Sequence, residues 1–283
     1  MLKIAIQAKG RLNEDSMALL ADAGIQVAPS KRKLVAQASG FPIQVLYLRD
    51  DDIPQAVAMG VADVGIVGLN EIAEKDEDVT VVRKLGFGAC RISLAVPRDV
   101  DYTGLEWFNG KRVATSYPHI LEEYFREHQI VADIHEVKGS VEIAPAVDLA
   151  DAIFDIVSSG STLVQNSLKE VEQVFFSEAA LIATNKLTLM KAPLVEKLVF
   201  RFESIVNSRG MKYVLMNIPR EKVDEAAALC PGMHSPTVLP LAEAGWASLH
   251  VVVRECELWE KIEKLKELGA EDILVLSLEN MIK

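Results

Sequence analysis

Short apolar runs alternate with amphipathic stretches through the first two thirds of the chain. Leu2–Gln7 (LKIAIQ) and Ile43–Arg49 (IQVLYLR) read as strands, and a helix runs from the Lys9-Gly10-Arg11 turn to near Gly24. Asp51–Val61 reads as a short helix, Val64–Val67 (VGIV) as a buried strand bracketed by glycines, and Val79–Leu85 as a further strand. A second set follows: Ile92–Val96, Arg112–Ser116, a helix from His119 to about His128, Asp133–Val137 and Ala150–Val157. Strands alternating with helices predict parallel β-α units in two lobes, with a crevice at the carboxyl ends of the strands. The apolar, β-rich segment Val171–Thr184 is placed to carry the chain back to the first lobe, and the helix Ala192–Asn207 leads away from it.

After Gly210 the rhythm changes. Lys212–Ile218, Thr237–Leu241, Ala247–Arg254 and Asp272–Leu278 read as strands, with helices over Arg220–Leu229 and Cys256–Leu268. The order β-α-β-β-α-β predicts a ferredoxin-like sandwich, a module that binds amino acids or mediates assembly in many settings. The expected division is an α/β chain with a first lobe of residues 1–89 and 179–204, a second lobe of 90–178 and a C-terminal domain of 205–283.

Composition narrows the function classes. The formal net charge of −11 over 283 residues argues against a general nucleic-acid binder. It would also repel a polyanionic substrate, so any phosphate site must rest on local loop N–H groups and a few chosen cations. The N-terminus lacks the long apolar run of a signal peptide, and no stretch approaches the roughly 20 apolar residues of a membrane span. Cys90, Cys230 and Cys256 are far apart and in no metal-type spacing. The expectation is a soluble cytoplasmic protein.

The strongest chemical signal is Asp151–Leu163 (DAIFDIVSSGSTL). A buried strand carrying Asp151 and Asp155 on one side of the pleat runs into a turn of small residues, then a helix. Gly160 tolerates positive φ, and the turn's N–H groups with the hydroxyls of Ser158, Ser161 and Thr162 suit an anion. An acid just upstream suits sugar hydroxyls. The alternative is a plain β-α turn with a hydroxyl cap. Gly139-Ser140-Val141-Glu142 is a second such turn, where Glu142 either caps a helix or contacts a hydroxyl or metal.

Weaker candidates end the other strands. Lys9 and Arg11 flank a flexible glycine and could meet a pyrophosphate, though surface cations are common. Arg49 precedes Asp50, Asp51 and Asp52; these acids cap the next helix, or one holds Mg²⁺ through water, and Asp52 reads as a solvated position. Lys31-Arg32-Lys33 reads as a solvated charge run. The segment Asp63–Glu71 either packs or receives a base and ribose, and Tyr117 either stacks on a base or joins the core. His119, His135 and His250 lie in no paired arrangement, and neither a dinucleotide fingerprint nor a P-loop is present.

Together these residues resemble the ATP phosphoribosyltransferase family of histidine biosynthesis. The resemblance runs through Lys9–Leu12 (KGRL), Asp63–Gly68 (DVGIVG), Arg112–Pro118 (RVATSYP), Gly139–Pro145 (GSVEIAP), Leu149–Leu163, Ser235–Ala242 (SPTVLPLA) and Leu268–Leu276, nearly the full chain in order. It implies the long form of the family, with two lobes like periplasmic binding proteins and a C-terminal regulatory domain that binds histidine. It implies transfer of the phosphoribosyl group of phosphoribosyl pyrophosphate to ATP with Mg²⁺ held mainly by substrate phosphates. Homodimers and hexamers, with L-histidine and AMP as inhibitors, are further implications.

Carried over by motif, Asp151, Asp155, Ser158, Ser159, Gly160, Ser161 and Thr162 would hold the phosphoribosyl group, with Glu142 beside it. Lys9, Arg11, Arg49, Leu69, Asn70 and Tyr117 would line the nucleotide and pyrophosphate side; family members can carry Asp where this chain has Asn70. Lys9, Arg11, Glu142 and Asp155 are the residues expected to act in the reaction, and Asn217, Met233, Ser235 and Thr237 would line the histidine pocket. Two rival readings use parts of the same pattern. A periplasmic-type ligand-binding protein, or a regulator's effector part, lacks its signal peptide or helix-turn-helix here. A stand-alone amino-acid sensor leaves both lobes unexplained.

Overall fold

The computed structural model describes residues 1–28 and 34–283. The charge run Lys31–Lys33 lies outside the described residues. Two compact units divide the chain at Val199 and Phe200, slightly ahead of the expected residue 205 and inside one helix.

The first unit begins with β1 (Leu2–Gln7), α1 (Arg11–Asp22), β2 (Gln26–Val27), β3 (Val35–Ser39), β4 (Ile43–Leu48), α2 (Ile53–Ala58), β5 (Val64–Gly68), α3 (Leu69–Lys75) and β6 (Val79–Lys84). A second set comprises β7 (Cys90–Pro97), β8 (Arg112–Thr115), α4 (Pro118–Glu127), β9 (Asp133–Glu136), β10 (Ala152–Val157), α5 (Ser161–Gln165) and β11 (Leu168–Ser177). The chain then returns as β12 (Ala179–Thr184) and enters α6 (Ala192–Ser208).

Seven strands in the order β2-β3-β4-β1-β5-β12-β6 form one sheet, and five in the order β11-β7-β10-β8-β9 form the other. The β1–β4, β1–β5, β8–β9 and β8–β10 pairs are parallel. Their central strands are almost continuously apolar because they are covered on both faces; Ile4, Ala5, Ile6, Val64, Ile66, Ile153 and Phe154 are fully buried.

Two features differ from the sequence pattern. The segment expected as one β-rich return is two strands, β11 and β12, in different sheets and broken at Glu178. The unforeseen β3 has the weakly β-favouring sequence VAQAS and takes its conformation from antiparallel pairing with β4.

What positions the site is the common direction of the parallel strands. The carboxyl ends of β1, β4 and β5 deliver Lys9–Arg11, Arg49–Asp51 and Leu69–Glu71, while β8 and β10 deliver Ser116–Tyr117 and Ser158–Thr162. Between the sheets the chain crosses twice, and the crossings pair with each other: Leu85 N–H donates to Ala179 O and Ala179 N–H to Phe87 O, both at 2.9 Å.

The second unit contains β13 (Met211–Pro219), α7 (Val223–Leu229), β14 (Thr237–Pro240), β15 (Trp246–Arg254), α8 (Leu258–Glu267) and β16 (Glu271–Ser277). The sheet order β14-β15-β13-β16, all antiparallel, is the ferredoxin-like arrangement expected from the sequence. Alternate residues Val214, Met216, Ile218, Leu249, Val251 and Val253 form a core with Ala226, Leu258 and Leu265 of the helices. Ser204 and Ser208 of α6 bond Asn280 and Glu279 of the C-terminal tail at 2.9 and 3.0 Å.

Candidate functional site

Two cavities, of about 300 and about 480 Å³, open between the two sheets of the first unit. Asp50 and Glu71 line both, so they are compartments of one crevice. Arg11, Leu12, Asn70, Cys90, Ile156 and Ser158 help bound the smaller compartment. Arg49, Lys75, Ser116, Tyr117, Lys138 and Gly139 help bound the larger.

The loop after β10 has the form its composition predicts. Gly160 sits at φ +78°, a conformation that costs other residues strain, and the hydroxyls of Ser159 and Ser161 lie 3.0 Å apart. Ser158 reaches the smaller compartment, while Ser159, Ser161 and Thr162 are exposed. A residue that sequence reasoning missed holds the loop's first carbonyl. Arg91 grips both carboxylate oxygens of Glu170 at 2.5 and 2.6 Å and donates to Ser158 O at 3.3 Å. No local signal marks Arg91, since Glu170 lies 79 positions away.

Asp155 is half-buried just before this loop, and burial pushes its carboxyl up to about 6, with the charge of Glu142 adding to the effect. Glu142 itself is the middle residue of a single 3-10 turn (Val141–Ile143) after Ser140, whose φ of +49° marks a tight reversal. Asp151 departs from expectation. It precedes β10 rather than lying in it, roughly 13 Å of strand away from Asp155. Arg112 holds it there, with N–H to Oδ2 at 2.9 Å and Nη2 to Oδ1 at 3.0 Å, and Asp148 shares the guanidinium. A pair on one side of a pleat can still occupy opposite ends of a strand. Asp151 therefore belongs to an ion-pair cluster at the end of β10 remote from the loop.

Asn70 and Glu71 of the first lobe meet Tyr117 of the second in a buried network. Asn70 Nδ2 donates to Glu71 Oε1 at 2.9 Å, Tyr117 Oη–H donates to the same oxygen at 3.2 Å, and Ser177 Oγ–H donates to Asn70 Oδ1 at 2.7 Å. Gly68 makes room for this: a Cβ there would stand 2.3 Å from Asn70 Oδ1. Burial, then the charge of Asp50, pushes the Glu71 carboxyl up to about 7 against the opposing Tyr117 hydrogen bond. Burial and the Glu71 charge raise the Tyr117 hydroxyl in turn.

The Tyr117 ring packs into the second lobe's core beside Ile120 and Leu121 and is 9% exposed. Its hydroxyl, rather than an open ring face, is what it offers the crevice, because the ring is buried in that core. Glu71 was inside a noted segment, yet its first-turn position reads equally as a helix-dipole acid.

Arg11 lines the smaller compartment and Arg49 the larger, Arg49 with an ion pair to Asp51 at 3.1 Å. Lys9 is exposed and Leu69 half-buried with its N–H on Glu178 O; neither lines a compartment. Among the described residues no group of three or more His, Cys, Asp or Glu side chains is arranged to hold a metal ion. No helix among the described residues is long and apolar enough to cross a membrane.

In the second unit, register puts Asn217 and Thr237 on the sheet face away from the helices, on the two strands flanking β15. Asn217 Nδ2 donates to Asp272 Oδ2 at 3.0 Å. Met233 and Ser235 are exposed on the approach to β14.

The chain resembles known proteins over its whole length. The HisG family model, ATP phosphoribosyltransferase, matches residues 49–204, and the HisG C-terminal domain model matches residues 208–280. An ATP phosphoribosyltransferase of Phocaeicola vulgatus is 58% identical and one of Bacteroides thetaiotaomicron 56% identical, each over 282 residues and 100% of both chains. Among solved structures, the ATP phosphoribosyl transferase (HisG:HisZ) complex from Thermotoga maritima matches with TM-score 0.63 and 28% identity, over 71% of this chain and 96% of that one. The substrate-binding protein of an amino acid ABC transporter matches with TM-score 0.50 and 11% identity, over 73% and 93% of the two chains, a likeness of fold alone.

Proposed function

The chain belongs to the ATP phosphoribosyltransferase family, whose reaction is the first step of histidine biosynthesis, and from that premise we propose how its crevice divides the work. The reaction joins phosphoribosyl pyrophosphate to N1 of ATP, giving 1-(5-phosphoribosyl)-ATP and pyrophosphate. The Ser158–Thr162 loop would hold the 5-phosphate by backbone N–H and hydroxyl donors, and Asp155 would accept from a ribose hydroxyl with Glu142 beside it. Arg11 and Arg49, with the outlying Lys9, would meet the pyrophosphate and nucleotide phosphates. The observation that supports this division is the meeting of the β10 loop and two arginines around one crevice.

Adenine N1 carries a free lone pair, so the step needs little base catalysis. The lone pair forms the bond to ribose C1 as the bond from C1 to pyrophosphate oxygen breaks, its electrons leaving with pyrophosphate. Positioning the two substrates and neutralising the leaving group are then the protein's main tasks. Mg²⁺ would arrive on the substrate phosphates and supply charge neutralisation there.

Release of pyrophosphate from ATP, phosphoribosyl pyrophosphate and Mg²⁺ tests the reading directly. Thr162→Ala and Asp155→Ala are each expected to lower kcat/KM for phosphoribosyl pyrophosphate at least ~10-fold, ~1.4 kcal/mol. Wild-type kinetics in both variants would remove the loop from the site.

The second unit is assigned to regulation: L-histidine held by Asn217, Met233, Ser235 and Thr237, in a homo-oligomer passing between dimer and hexamer. AMP would compete in the nucleotide compartment. A cytoplasmic location accompanies this biosynthetic role.

A further inference from the structure

Glu71 is 7% exposed, and among the described residues no Lys or Arg forms an ion pair with it, although Lys75 acts on it by charge. Buried acids of structural purpose ordinarily meet Lys or Arg. This one meets two neutral donors, both on Oε1: the amide of Asn70 and the hydroxyl of Tyr117. Oε2 has no hydrogen-bond partner among the described residues. No fully buried side-chain polar atom there lacks a partner, so Oε2 opens into the crevice it lines. The network fixes the carboxyl with one oxygen aimed at whatever occupies that space.

The surroundings select the occupant. Asp50 lines both compartments with Glu71 and adds negative charge, so a phosphate is repelled from this wall. Leu12, Ala89, Ile156 and Ala179 give the smaller compartment apolar surface suited to a flat ring. Apolar surface beside a fixed acceptor fits the base end of a nucleotide, while Arg11 and Ser158, which bound the same compartment, are the donors left for phosphate.

Resting on the proposed function, we propose that Glu71 is a specificity-determining residue whose Oε2 accepts a hydrogen bond from the exocyclic 6-amino group of the purine. The same contact assists the transfer. When N1 forms its bond to C1 and pyrophosphate departs with the electron pair, positive charge spreads over N1, C6 and the 6-amino nitrogen. That amino group becomes a stronger donor in the transition state than in the substrate, so the hydrogen bond strengthens as reaction proceeds. To the ionised carboxylate a 6-oxo purine presents an acceptor, and it is rejected by an unpaired, desolvated clash.

The experiment compares Kd of the full-length protein for ATP and for purine riboside triphosphate, which keeps N1 and lacks only the amino group, at fixed Mg²⁺. The wild type should bind ATP at least ~10-fold more tightly. In Glu71→Leu the two nucleotides should bind alike, and in Glu71→Gln inosine triphosphate should gain on ATP by a similar factor, with KM for phosphoribosyl pyrophosphate little changed. An ATP preference preserved in Glu71→Leu would overturn the proposal, as would a change only in Mg²⁺ dependence. Should the variants fail to fold, equal binding of the two nucleotides by the wild type overturns it, and the ~10-fold preference supports it. Absence of pyrophosphate release by the wild type is a separate outcome, which strikes the proposed function itself.

Discussion

At the residue scale two carboxyls are shifted upward, Glu71 to about 7 on the crevice wall and Asp155 to about 6 just before the β10 loop. For both, burial is the first cause, so the fold favours the protonated acid over the carboxylate. A folded pKa raised above the ordinary 4.5 of Glu71 means stabilisation that is complete below that value and lost as pH rises through about 7. The loss is on the order of 3 kcal/mol for a group this buried. Glu71→Gln removes it, so the variant should gain in Tm over the wild type by several degrees more at pH 8 than at pH 5. Parallel Tm curves over that range would show that Glu71 ionises as an exposed acid does. The pH window also bears on binding, because the charged form is the better acceptor. Asp50, Asp51 and Lys75 bias that ionisation by charge, Tyr117 by its hydrogen bond, and Cys90 and Asp155 lie within electrostatic reach of the same network.

At the element scale one helix depends on another for its start. Tyr117, the residue before α4, makes no side-chain cap. Glu74 of α3 does this from the other lobe, its two oxygens accepting the N–H groups of His119 and Ile120 at 3.1 Å each. A carboxylate at this end also meets the positive pole of the helix. Glu74→Ala should therefore destabilise the protein by about 1 kcal/mol, read as a lower urea midpoint at unchanged m-value. An unchanged midpoint would mean that water caps α4 equally well. The same two elements carry Glu71 and Tyr117, so the cap and the buried network brace one junction beside the crevice.

At the scale of the whole molecule the catalytic and regulatory assignments predict coupling by a small ligand. Histidine should raise the sedimentation coefficient of the protein while slowing pyrophosphate release, with both effects reduced together by Ser235→Ala or Thr237→Ala. Unchanged size and rate in saturating histidine would separate the second unit from this role.

Much of the architecture follows from local pattern. Apolar runs such as Val64–Val67, turn residues such as Gly160 and the switch of rhythm after Gly210 identify elements, the two-lobed α/β class and the ferredoxin-like module, because strand period and backbone freedom are properties of neighbouring residues. The Ser158–Thr162 loop was visible for the same reason. Tertiary structure alone decided the partners. Asp151 went to Arg112, 39 positions away, Arg91 to Glu170 at 79, and Tyr117 to Glu71 at 46. Charge, burial and the direction of a free oxygen depend on such pairs, and no pattern along the chain encodes which distant side chain will close the distance.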